Sequence, residues 1–448
     1  MKMLGKAALA GIVIFAMLQL VRPAIPTRPA AAEPPVPVEV KHVLDKDCYS
    51  CHSDERRLSW FDQIVPAYWL VRHDILTARE HLNFSTVGSL PPPAQKAALY
   101  EAVNMVQLGA MPLPSFLKLH PESQVTPQEL TLLKDYLAPW STPPVQPSGN
   151  NADQISKPVA LSTVQPEFDG FPFDPNFEKW RLLSTTDRGD NNTFRFVLGN
   201  DIAIKAAQSG AVSPWPDGAR FAKIAWQQEA NPDGSVHPGK FVQVELMLKD
   251  HQRYKDTEGW GWGRWRGLDL KPYGKDSTFV KECTGCHQPM RGDDYVYTLP
   301  ITNAKVAGAQ VVNNKAAALP VSLPYQPLDW GPITMYVDPK AHTTATLYGN
   351  DAALQAVTAV PKSESAAAYP AGAVLALVTW TQRDDPHWFG GRIPDTLKSV
   401  EFVRMAKAGQ INEYSRFAGQ GLREERLPAS AAESRMSLVL GLRPARLP

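Results

Sequence analysis

Two short stretches constrain this chain more than anything else in its 448 residues: Cys48-Tyr49-Ser50-Cys51-His52 and Cys283-Thr284-Gly285-Cys286-His287. They consume all four cysteines, so none remains for a structural disulfide or a zinc site. A C-x-x-C-H sequence sets two thiols about one helical turn apart, where both can form thioethers to porphyrin vinyl groups. It then delivers an imidazole beneath the iron. The competing reading, a thioredoxin-like redox pair, needs a βαβ setting that neither stretch has, and it gives no reason for the histidine. The expectation is two covalently attached c-type haems, with Cys48, Cys51, Cys283 and Cys286 as attachment points and His52 and His287 as iron ligands.

Lys plus Arg number 46 and Asp plus Glu 45. That balance leaves no basic excess to neutralise phosphates, which excludes a nucleic-acid partner, and it equally excludes an acidic disordered chain. The 41 prolines, roughly 9% of the chain against an average of about 5%, announce long irregular connections. At the amino end, Lys2 and Lys6 precede 15 apolar residues from Ala7 to Val21, and Ala30-Ala31-Ala32 follows. A basic start, an apolar centre and a small-residue exit describe a secretory signal peptide over residues 1–32. The alternative is a retained membrane anchor, with Arg22 closing the apolar run and a Pro-rich tether from Pro23 to Pro37. The run is shorter than the ~20 residues a spanning helix uses, and the stretch after it has no periodicity with which to pack. Either way the body is exported to the periplasm, soluble or anchored at its amino end.

Residues 38–140 read as an all-α haem domain. Gln95 to Val106 and Pro127 to Tyr136 carry apolar residues at three- and four-residue spacing, and Thr126-Pro127-Gln128-Glu129 is a capped helix start. Met111, in Leu108-Gly109-Ala110-Met111-Pro112, follows a helix on a loop from which a thioether can reach the iron. His73, His81 or an open position are the alternatives. Residues Cys48 to Ser53, Val65 to Val71, His73, Arg79, Asn83-Phe84-Ser85 and Met111-Pro112 resemble a family of small bacterial haem-binding domains. The resemblance implies an electron-transfer unit with a His/Met-type haem.

A Pro/Ser/Asn-rich linker over 141–164 leads into residues 165–305, where the period changes from helical to strand-like. From Thr193 to Leu198, Phe194, Phe196 and Leu198 share one face and Arg195 and Val197 the other. From Ala219 to Gln228, Ala222, Ile224 and Trp226 share one face, which leaves Lys223 beside Phe221 and Ala225 on an otherwise apolar one. Such a lysine either snorkels to solvent or is desolvated toward a neutral, nucleophilic amine. Glu245, flanked on its strand face by Gln243 and Met247, is a proton acceptor or a solvated carboxylate. Trp260, Trp262 and Trp265 pack aromatics around a haem or core, and Lys249 to Lys255 and Asp276 to Lys281 read as short helical pieces.

Across this region Lys179-Trp180-Arg181-Leu182, Asn200 to Lys205, Trp215-Pro216-Asp217-Gly218, Lys249-Asp250, Gly259-Trp260-Gly261, the second C-x-x-C-H and Asp294-Tyr295-Val296 resemble the cytochrome P-460 family. The resemblance implies a β-rich fold, often dimeric, around a five-coordinate c-haem with an open distal side. It also implies, in the hydroxylamine-oxidising members, a covalent bond from a lysine to the porphyrin edge. Lys223 stands at the matching position, and Arg195 where the family places a distal-pocket arginine. The related β-rich cytochromes c′ lack the cross-link and bind nitric oxide.

Residues 325–420 echo the preceding region. Gly199-Asn200-Asp201 recurs as Gly349-Asn350-Asp351, Trp215 to Ala219 as Tyr369 to Ala373, and Val244-Glu245 as Val400-Glu401. In this register Leu377 replaces Lys223, Ala345 replaces Arg195, and no C-x-x-C-H follows. These substitutions describe a haem-free, degenerate copy of structural role. Residues 421–448 show no clear element. Two functions follow. One is an exported dihaem oxidoreductase acting on hydroxylamine or nitric oxide, its N-terminal haem passing electrons to a cytochrome c or a quinone-linked acceptor. The other is a non-enzymatic electron carrier joined to a nitric-oxide-binding domain, either of them a monomer or a homodimer. A dihaem peroxidase shares the haem arithmetic but not the strand-rich middle region.

Overall fold

The structure is a computed structural model that describes residues 2–138, 159–302, 314–359, 368–407, 410–419, 421–445 and 447. Most of the linker expected at 141–164 lies outside these residues. The chain divides into two compact units, 1–140 and 141–448.

The first unit is helical: α1 (Lys2–Leu18), α2 (Val38–Asp47), α3 (Tyr49–His52), α4 (Ala67–His81), α5 (Pro92–Gln107), α6 (Pro114–Leu117) and α7 (Pro127–Leu137). The start of α7 is closed by a capping box in which the Thr126 side chain accepts from the Glu129 N–H and the Glu129 carboxylate accepts from the Thr126 N–H. Val40, Val43, Leu44, Tyr49 and Phe84 are buried, and Tyr49 and Phe84 stack at 5.4 Å. The stretch after α1 departs from expectation, because it does pack. Ile25 is buried with Val65, Tyr68 and Ile75. Prolines supply no helical period, but backbone carbonyls among them are free to accept, and Tyr68, Arg72 and Arg79 donate to Pro23, Ala24 and Pro26. Among the described residues no helix is long and apolar enough by itself to cross a membrane.

The second unit is built on one antiparallel sheet. Its first half runs β1 (Arg181–Arg188), β2 (Thr193–Gly199), α8 (Asp201–Ser209), β3 (Arg220–Ala230), β4 (Val236–Lys249), β5 (Trp260–Arg266), β6 (Lys271–Pro272) and α9 (Thr278–His287). Its second half runs β7 (Gly331–Asp338), β8 (Thr343–Gly349), α10 (Asp351–Ala359), β9 (Val374–Asp384), β10 (Gly391–Arg404), β11 (Glu413–Ala418), β12 (Arg423–Glu424) and α11 (Ala429–Gly441). The order β1-β2-β3-β4-β7-β8-β9-β10 closes on itself. β4 meets β7 at Val236 and Val337, and β10 meets β1 at Arg392 and Asp187. β5 and β11 branch from the far ends of β4 and β10.

The halves repeat each other's local chemistry. Asn200 and Asn350 each accept from an N–H three residues on and donate to a glycine carbonyl, Gly218 or Gly372. Each glycine has positive φ (85° and 84°), a conformation that glycine adopts without the strain a side chain brings. Each follows a Pro two residues back and receives the end of a long strand. The inward faces of both halves fill a single core, with Phe196, Trp226 and Val244 from one and Val378, Trp380 and Phe402 from the other. The outward faces are covered separately, by α8 and α9 in the first half and by α10 and α11 in the second.

Two expectations are corrected here. Lys249 ends β4, and the residues after it form a turn and a single 3-10 turn at Lys255–Thr257 rather than a helical piece. The carboxy-terminal stretch, expected to have no clear element, contains β12 and α11. Val439 of α11 is fully buried against Leu375, Leu377 and Val403.

Candidate haem sites

In both C-x-x-C-H stretches the histidine ring is fixed from behind. His52 at the end of α3 has its Nδ1 2.9 Å from the Leu82 carbonyl, and His287 at the end of α9 has its Nδ1 2.7 Å from the Tyr295 carbonyl. A carbonyl only accepts, so Nδ1 carries the proton and Nε2 keeps its lone pair for a metal. Burial lowers the pKa of both rings, that of His287 to about 4, which holds each imidazole neutral as ligation requires. All four thiols are free of disulfides. These residues fit haem: two thiols for attachment and one oriented imidazole at each site. Met111 lies half-buried on the loop between α5 and α6, where Gly109 takes positive φ, whereas His73 and His81 are exposed on α4.

The second site rests on the outer face of the first half. Directly opposed residues of antiparallel strands share a face, so the register across β2, β3, β4 and β5 aligns Val197, Lys223, Glu245 and Arg264 in one row. The neighbouring row on that face brings Arg195 and Gln243, and the row on the other side brings Phe221, Met247 and Trp262. Lys223 and Glu245 form an ion pair. Arg264 donates through Nε to Glu245 at 2.9 Å and reaches Glu282 of α9 at 2.8 Å, and Gln243 donates to Glu245 at 2.6 Å. Trp262 lies 4.5 Å from the His287 ring, centroid to centroid. The Arg195 Nε–H is buried with no hydrogen-bond partner, as are the indole N–H groups of Trp260 and Trp262. Unsatisfied donors of that kind around a cradle suit a polar ligand.

One carboxylate thus serves two cations that touch it, with a third, Arg195, close by. Burial alone raises the Glu245 carboxyl, but Lys223 and Arg264 outweigh it and hold it at about 2. Burial lowers the Lys223 ammonium against the pull of Glu245, with Arg195 and Arg264 adding to the effect. Burial, then Arg188, brings Arg195 down to about 10. Lys223, Arg195 and Glu245 are therefore assembled on one face, toward the helix that carries Cys283, Cys286 and His287.

Sequence reasoning missed three contributors. Arg264 was legible, since the alternation of Trp260, Trp262, Arg264 and Arg266 puts all four on one face of β5, with Trp265 alone turned inward to the core. The Tyr295 carbonyl was not, because a backbone acceptor leaves no residue signature. Nor was the hairpin between β9 and β10. There His387 has its Nδ1 2.7 Å from the Tyr297 carbonyl, and Trp388 meets the Tyr297 ring at 5.5 Å. Tyr297 in turn lies edge-on to His287 at 5.2 Å and donates its hydroxyl to the Cys286 carbonyl.

Residues 175–298 match the family model described as Cytochrome P460, and residues 9–139 match that described as a Haem-binding domain. No curated protein matches the chain. The two matches stand in the order expected and make the chain a haem cytochrome: a helical haem-binding domain precedes the β-rich unit whose first half carries the P460 match. The second half lies beyond both matches.

Proposed function

We propose that this chain is an exported dihaem c-type cytochrome that oxidises hydroxylamine at His287. Cys48, Cys51, His52 and Met111 would hold the N-terminal haem, which would supply one-electron transfer toward an external acceptor, a cytochrome c or a quinone-linked carrier. The observation that supports the reading is the row Lys223–Glu245–Arg264 with the unpartnered Nε–H of Arg195 beside it, on the face toward His287. Haem bound there supplies one-electron redox chemistry and a coordination position for a nitrogen ligand. Arg195 offers its free N–H to the oxygen of an N–O group. Glu245, ionised at neutral pH and held by Lys223 and Arg264, would position the Lys223 amine, which burial drives toward the neutral, nucleophilic form that a bond to the porphyrin edge requires. Conversion of hydroxylamine to nitric oxide releases three protons and three electrons. The protons would leave to solvent past the partly exposed Lys223, and the N-terminal haem would supply the one-electron acceptor. The second half serves as a haem-free copy of the same β-fold that closes the sheet.

The test is the visible spectrum of the purified ferrous protein beside Lys223→Ala. A strongly red-shifted Soret band in the wild type alone, over ordinary c-type bands in both, establishes a lysine-linked haem. Two ordinary c-type signatures in both proteins sink hydroxylamine oxidation. The ion pair of Lys223 with Glu245 favours a second reading, in which the amine stays engaged as a charge partner and the site binds nitric oxide without turnover. Nitric oxide uptake by the ferrous protein, unchanged in Lys223→Ala, then becomes the expected result.

A further inference from the structure

The stretch that joins α1 to α2 is bound to the helical unit along its whole length. Gln19 exchanges two hydrogen bonds with the backbone of Val65, at 3.0 and 2.9 Å. Trp69 donates its indole N–H to the Val21 carbonyl at 2.8 Å. Farther along, Ile25 enters the core. The N–H groups of Ala31 and Ala32 both donate to the Ser85 carbonyl, at 2.9 and 3.0 Å, and the Ala32 carbonyl accepts from Gly88 at 2.9 Å. Gly88 is small for this reason, since a Cβ there would lie 2.8 Å from the Ala32 oxygen and 2.5 Å from that of Glu33. The alanines that read as an export-peptidase site are thus tied to the domain through both their N–H and carbonyl groups. Cleavage there would strip a core residue and several hydrogen bonds from the domain.

The helix ahead of the strap is apolar all round. Ile12, Val13, Ile14 and Phe15 are consecutive, so they point to every side, and each is 48–65% exposed. No charged residue lies between Lys6 and Arg22. A protein partner covers one face of such a helix, whereas lipid covers all of them. The run continues through exposed Leu20 and Val21, and beside it the domain shows Trp69 and Leu70 to the outside. Trp at that position suits a membrane–water boundary, and Lys2 and Lys6 suit the cytoplasmic side. From these observations we infer that residues 1–33 are retained in the mature protein, that α1 and its extension to Val21 insert in a lipid bilayer, and that the strap holds the helical haem-binding unit at the membrane surface.

The experiment is fractionation and intact mass of the full, haem-loaded protein. The result expected is a pellet that resists alkaline carbonate, with a mass that includes residues 2–32. A mass that begins near Ala31 to Glu33 overturns retention, and an intact but carbonate-soluble protein overturns insertion. Gly88→Ala provides a second measurement. Displacement of the strap lowers the melting temperature of the helical unit by about 5 °C or more, and an unchanged melt overturns the strap as part of the fold. None of these readouts depends on hydroxylamine turnover, so they stand or fall apart from the proposed reaction.

Discussion

In the first half of the sheet the row Val197, Lys223, Glu245, Arg264 lies beneath α9, the helix that bears Cys283, Cys286 and His287. In the second half the corresponding row is Leu347, Leu377, Glu401, Arg416, beneath α11. The carboxylate survives in both. In the first half its cations come from the strands on either side, Lys223 from β3 and Arg264 from β5, and Lys223 keeps 32% of its side chain exposed. In the second, Leu377 takes the lysine's place and the cation arrives from the covering helix. Arg435 grips Glu401 at 2.6 and 2.9 Å, Tyr414 donates to it at 2.6 Å, and Glu401 is 1% exposed. Val439, with Met436 and Leu440, packs over the same face. The difference teaches that a ligand cradle and a closed core can share one backbone and one buried acid. What separates them is which element brings the positive charge and whether the covering helix carries thiols and imidazole or aliphatic side chains.

The sharpest way to break this comparison is to remove each cation in turn. Arg435→Met strands a buried carboxylate and should cost about 3–5 kcal/mol of the second unit's stability. Lys223→Leu leaves Glu245 with Arg264 and Gln243 and should cost less than about 1 kcal/mol. Chemical denaturation of both variants measures the gap, and equal losses mean that the two rows are not energetically distinct. Next in size, Val439→Ala should cost roughly 2 kcal/mol, because it removes apolar contacts from a face with no alternative filling. His387→Ala deletes one hydrogen bond at the Tyr297 carbonyl and should cost about 1 kcal/mol. On the proposed dihaem reading it should also shift the absorption assigned to His287 and leave the N-terminal bands unmoved; no shift means that the second half does not support the His287 side.

A further effect is on acid stability. Glu245 titrates far below an ordinary glutamate, so the folded state binds fewer protons than the unfolded one between about 4.5 and about 2. Its contribution is complete above about 4.5 and is lost as pH falls toward 2. Glu245→Gln should therefore flatten the acid limb of a pH–melting curve and leave the neutral region's slope unchanged.

Much of this arrangement was legible in the residues. The two C-x-x-C-H stretches located the candidate ligands, and alternation along β2 and β3 set Arg195 apart from Phe194, Phe196 and Leu198 and Lys223 apart from Ala222, Ile224 and Trp226, without showing that the two share a face. Register was not legible, because bulges such as that between Leu182 and Ser184 shift pairing by a residue with no mark in composition. Helix α11 escaped notice because its start has no side-chain cap and only Val439 of it is buried, so neither a boundary nor a stripe stands out in Ala429 to Gly441. The strap escaped for a different reason. Hydrophobic patterning reads side chains, and the strap is held largely through its own carbonyl groups.

The closed ring of strands has a consequence for assembly. Its two seams, at Val236 with Val337 and at Asp187–Arg188 with Arg392–Gly391, join halves that belong to one polypeptide. Two separate chains meeting along such seams would part on dilution, with half-occupancy set by a dissociation constant. Here the partner is supplied at a fixed effective concentration by the intervening chain, so closure is a first-order event. The support that His387 and Trp388 give to the His287 side is accordingly present at any protein concentration, however scarce the molecule.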